Sequence, residues 1–83
     1  MSERDPRYEH LLRKAQDAKR GGHGTWAVQS TGEKVAVALV LNRFDWLAEH
    51  GYNVAEAIER AGREWVEMIP QVARELADEE EAQ

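Results

Sequence analysis

Between residues 25 and 31 the chain reads TWAVQST, with Trp26 and Val28 on one face and Thr25, Ala27, Gln29 and Thr31 on the other. That alternation predicts a strand with one buried and one exposed face. The next segment, GEKVAVALVLNRFDWLAEH, supports two readings. Its valine-rich first half suits a strand, and STGEK suits the turn of a hairpin joining residues 25–30 to 35–41. Against this, Ser30 followed by Glu33 makes a capping box, and Ala36, Val40, Phe44 and Leu47 follow a helical stripe. Residues 35–41 are apolar on two faces in either state and must be covered on both sides.

From Asp45 onward the pattern is helical. Trp46, Leu47 and Ala48 finish one helix, stopped by Gly51, and Asn53 caps the next with Glu56 three residues on. Val54, Ala57, Ile58, Ala61, Trp65, Met68 and Ile69 give this second helix a broad apolar face, with Pro70 at its end. Gly62 falls inside it, at a cost of about 1 kcal/mol relative to alanine, which close approach of another backbone would explain. Glu56 with Arg60, and Glu59 with Arg63, have the spacing of solvent-facing ion pairs. Pro70 also opens a short terminal helix carrying Val72, Ala73, Leu76 and Ala77, followed by the acidic DEEEAQ. At the other end, the apolar stripe of Tyr8, Leu11 and Leu12 is thin, and glycines at 21, 22 and 24 uncouple it from residue 25 onward. Residues 1–24 are therefore expected to be a flexible arm, 25–69 the folded domain, and 70–83 a short helix with an acidic tail.

Composition narrows the function classes. At 83 residues the chain is one small domain, for which a core shared across a dimer is a physical remedy. The absence of cysteine excludes disulfides, thiolate metal sites and cysteine nucleophiles. MSERDPRYEH is too charged for a signal peptide and residues 35–41 are too short to cross a bilayer, so the expected setting is cytoplasmic, with no membrane partner. The net charge of -5 is uneven: residues 1–34 hold seven Lys and Arg against five Asp and Glu, and residues 35–83 hold four against eleven. Such a balance argues against indiscriminate coating of nucleic acid, yet leaves room for a local basic surface near the N-terminus.

No constellation asks for catalysis. His10, His23 and His50 never fall at metal-ligand spacing, and the carboxylates lie on the polar side of a helix. GGHG and STGEK lack the phosphate-loop pattern, while Thr25, Ser30 and Thr31 have no identifiable base. The chain is thus expected not to be an enzyme and to need no metal or cofactor. Trp26, Trp46 and Trp65 read as core, with Trp26 also placed where a partner could meet an aromatic.

LAEHG, then Tyr52, the capping Asn53 and VAEAIERA together resemble the ribbon-helix-helix family of dimeric DNA-binding proteins, over residues 47–61 above all. The resemblance implies an α+β fold in which a strand from each subunit pairs into a ribbon for the major groove. It also implies a homodimer that binds double-stranded DNA sequence-specifically, as a small transcriptional regulator of the plasmid-borne or antitoxin kind. Carried onto this chain, Thr25, Gln29 and Thr31 would contact bases, with Gln29 able to bond an adenine in a bidentate manner. Lys19, Arg20, His23, Asn53, Val54 and Ala55 would contact the DNA backbone, the last two through amides at a helix start. Trp26, Val28, Val40, Leu47, Ile58 and Trp65 would form the dimer core. The alternative is a β-hairpin followed by helices, serving as a non-enzymatic protein-interaction module or accessory subunit whose hairpin edge or acidic helical surface takes a protein partner. The state of residues 33–41 separates the two.

Overall fold

The computed structural model describes residues 5–81, and every regular element among them is an α-helix. The order is α1 Pro6–Gly21, α2 His23–Ala27, α3 Thr31–Val40, α4 Phe44–Glu49, α5 Val54–Ala61, α6 Arg63–Val66 and α7 Ile69–Glu81.

The segment expected to be a flexible arm is, over residues 6–21, a core helix; residues 1–4 lie outside the described residues. The Asp5 carboxylate accepts from the Arg7 amide at 2.9 Å, and Pro6 occupies the first turn, where its missing N–H is no loss. Tyr8, Leu11, Leu12, Ala15 and Ala18 are all buried at helical spacing. The two alanines complete a stripe that looks thin when only large residues are counted, and they let neighbouring backbones approach closely. Beyond the helix, Gly22 turns the chain at φ 74, its N–H bonding the Ala18 carbonyl at 2.7 Å.

The alternating TWAVQST segment is the end of α2, the turn after it and the first residue of α3, not a strand. In a helix, residues two apart point about 200° apart, and the structure follows this: Trp26 is 1% exposed and Val28 83%. The valine-rich segment is α3. Its capping box is closed on both sides, the Glu33 amide donating to the Ser30 hydroxyl at 3.3 Å and the Ser30 amide to the Glu33 carboxylate at 2.9 Å. Val35, Ala36, Val37 and Ala38 are buried in succession because α1, α2, α4, α5 and α7 all pack around this helix. The weak helix propensity of valine, under about 1 kcal/mol per residue, is outweighed by burial of its side chain, at about 1.5–3 kcal/mol when complete.

Two helix ends use the same stop. After α3, the Arg43 amide donates to Ala38 and the Asn42 amide to Leu39, with Asn42 left-handed at φ 59. After α4, the Tyr52 amide donates to Leu47 and the Gly51 amide to Ala48, with Gly51 at φ 79. Asn53 then caps α5 through a second complete capping box with Glu56, as its sequence position predicts. The expected long second helix is broken, however, at Gly62, whose φ 91 and ψ 152 lie outside the helical region. Past the short α6, α7 starts at Ile69 and returns across the bundle, burying Val72 and Leu76 against α1 and α3.

Five side chains from five helices, Leu11, Trp26, Val37, Leu47 and Val72, are the largest fully buried ones, so a core closes within one chain. No strand exists among the described residues, which overturns the α+β assignment and the ribbon-helix-helix resemblance together. The homodimer built on a shared ribbon, its groove-reading DNA mechanism and the transcription-regulator role fall with it. The hairpin of the alternative reading has no strands either. What the resemblance rested on, the LAEHGYN corner, is present as the α4–α5 turn, a feature that many helical folds can build. Among the described residues no helix is long and apolar enough to cross a membrane.

Candidate interaction surface

The residues expected to contact bases lie on separate segments and face different ways. Thr25 is half-buried on α2 and crowds the end of α1, where a Cβ on Gly21 would sit 1.9 Å from its Oγ1. Gln29 points inward, its Nε2 donating to the Lys14 carbonyl at 3.0 Å. Its Oε1 is buried without a hydrogen-bond partner among the described residues. Thr31 is exposed as the first residue of α3.

The expected backbone contacts are largely engaged within the chain. Lys19 pairs with Glu80 at 3.1 Å, joining α1 to α7, and Arg20 pairs with Asp17 at 3.1 Å. His23 Nε2 lies 2.6 Å from Glu49 Oε2. Asn53 is occupied by its capping box, while Val54 and Ala55 are exposed at the start of α5. Of the expected dimer-core residues, Trp26, Val40 and Leu47 are buried in this chain's own core and Trp65 is half-buried; Val28 and Ile58 are exposed.

A cluster of indoles and cations holds α2, α3 and α4 together. Trp26 and Trp46 stack with centroids 4.8 Å apart, and the Trp26 indole N–H donates to the Lys34 carbonyl at 2.8 Å. His23 packs against both indoles and His50 against Trp26. Arg43 lies 4.3 Å over the Trp46 ring and is steadied by Asp45, which accepts from its Nε and Nη2 at 3.0 and 2.8 Å. That hydrogen bonding holds the Asp45 carboxyl below the usual carboxylate range. The cluster is a packing device: both indoles are buried, and the Trp26 N–H is satisfied internally. Among the described residues no group of three or more His, Asp or Glu could hold a metal ion. A groove of about 290 Å³ between α1 and α7 is walled by Gln16, Lys19, Glu79 and Glu80, which bond one another across it.

Among the described residues, an exposed apolar pair lies on α5. Ala57 is fully buried, and α3 and α5 pack closely along their lengths. At 100° per residue, the apolar face turns from Ala57 through Ala61 and Val54 to Ile58 and Ala55 before reaching Glu59. Only its Ala57 side is covered. Val54 stays 42% exposed and Ile58 45%, and at i and i+4 they stand side by side along the helix. Phe44, at the start of the adjoining α4, is also exposed.

The charges beside this edge depart from the expected pairs. Because Gly62 breaks the helix, Arg63 turns away from Glu59 and pairs with Glu67 at 3.3 Å. Glu56 accepts from the Asn53 backbone amide, and neither Glu56 nor Glu59 has a cationic partner among the described residues. The breadth of the 54–69 apolar face is the one sequence signal for this surface; how much of it is covered depends on where α3 lies. No protein-family model, no curated protein and no solved structure matches the chain.

Proposed function

We propose that this chain works without catalysis, as a small helical module that docks onto another protein through the outer edge of α5. The observation that carries this reading is the pair Val54 and Ile58, large apolar side chains held side by side in solvent on a helix whose opposite flank is anchored in the core. A partner that covers this pair would remove its apolar area from water, which is favourable. The docking element is a rigid helix face, in contrast to a hairpin edge that would accept a strand. The proposal places the chain in the cytoplasm.

A site-specific photo-crosslinker tests the surface directly. Placed at residue 58 in cells that make the protein, it should yield a discrete adduct that Val54→Asp abolishes. The same group at Gln71, exposed on α7, should not yield it. Identical adducts from both positions, or none from residue 58, would overturn the reading.

A further inference from the structure

We infer that the occupant of the α5 edge is a cationic amphipathic helix of another protein, an inference that rests on the docking role just proposed. The apolar strip is narrow and runs along one helix, which matches the i, i+4 stripe of a second helix better than a broad flat surface. It is bordered on its outer flank by Glu59, which is exposed and has no cationic partner among the described residues. The break at Gly62 is what leaves Glu59 in this state, by denying it the Arg63 that an unbroken helix would bring alongside.

A helix that lays its apolar stripe over Val54 and Ile58 and carries Lys or Arg on the flank would supply the missing cation. The wider field acts in the same direction, since residues 35–83 hold four Lys and Arg against eleven Asp and Glu. A second copy of this chain would instead bring the same acidic surface to the edge, since both copies carry a net charge of -5. Like charges facing across an interface disfavour that arrangement.

The test is an NMR titration of the full isotope-labelled chain with two synthetic helical peptides that share one apolar stripe, one flanked by lysines and the other by glutamates. The lysine peptide should shift the amide signals of residues 54–59, and its affinity should fall as salt is raised. Glu59→Gln should weaken it about twofold, as expected for one rim ion pair. Val54→Asp should weaken it about tenfold or more, with Ile58→Ser as a second variant should the first disturb the fold. Equal binding of both peptides, insensitive to salt, would overturn the cationic inference and leave the docking surface standing. Shifts from neither peptide, or binding that both Val54→Asp and Ile58→Ser leave unchanged, would overturn both.

Discussion

Gly62→Ala separates two accounts of the chain by the sign of its effect. Were Gly62 inside a continuous helix, as its place in the 54–69 apolar pattern implies, alanine would stabilise the protein by about 1 kcal/mol. In the structure Gly62 sits at φ 91 and ψ 152, a region essentially closed to residues with a Cβ. Forcing an L side chain there costs about 1–3 kcal/mol. Lost freedom of the unfolded chain returns about 0.4–1 kcal/mol, so a net loss of about 1–2 kcal/mol is expected. No clash with a neighbouring element adds to this, because a Cβ at this position meets nothing within 4 Å beyond the adjacent residues. Gly32 is the internal control: it lies in the first turn of α3, has no left-handed φ, and its Cβ would also meet open space. Gly32→Ala should therefore stabilise by about 0.5–1 kcal/mol. Urea unfolding followed by far-ultraviolet circular dichroism measures both. Opposite signs for the two variants support the break between α5 and α6, and a stabilising Gly62→Ala would refute it.

Two further outcomes concern the core and the Ser30–Glu33 box. Trp26→Ala removes a side chain that is nearly inaccessible, stacked on Trp46 and hydrogen-bonded to Lys34, so a loss of about 3–5 kcal/mol is expected, with Trp26→Phe milder at about 1–2 kcal/mol. Because this core closes within one chain, the unfolding midpoint should not move over about a hundredfold range of protein concentration; a midpoint that rises with concentration would show that a second copy completes it. For Glu33, burial pushes the carboxyl up, but the Ser30 amide, the His10 ring, the Ser30 hydroxyl and Lys14 together hold it below its ordinary value of 4.5. A depressed carboxyl stabilises the fold fully above the unfolded value and loses that contribution as pH falls through the folded one. The stability gap between the protein and Glu33→Gln, read from urea midpoints, should accordingly be constant above about pH 4.5 and shrink below it. A gap that widens on acidification would contradict the assignment.

Local hydrogen-bond chemistry was legible from the sequence because it involves residues three to five apart. The Asn53–Glu56 capping box, the stop at Gly51 and the option of a Ser30–Glu33 cap all arise from side chains able to satisfy the free amides or carbonyls of a helix end. The Asn42 stop could have been read by the same rule. The width of the apolar face from Val54 to Ile69 was legible too, and with it the raw material of the interaction surface.

Tertiary structure decided the rest. Trp26 and Val28 two residues apart are compatible with a strand face or with opposite sides of a helix, and only the packing of Trp26 on Trp46 selects the helix. The valine run of α3 is apolar on all sides, so its state depended on whether helices arriving from both ends of the chain could surround it. Ala15 and Ala18 made α1 part of the core by being small enough for close approach, which hydropathy alone undervalues. The same logic set the candidate site. Which apolar side chains of α5 meet α3 and which meet water is a property of the contact between two helices, and Glu59 lost its expected partner through a backbone turn at Gly62 that the side-chain pattern does not encode.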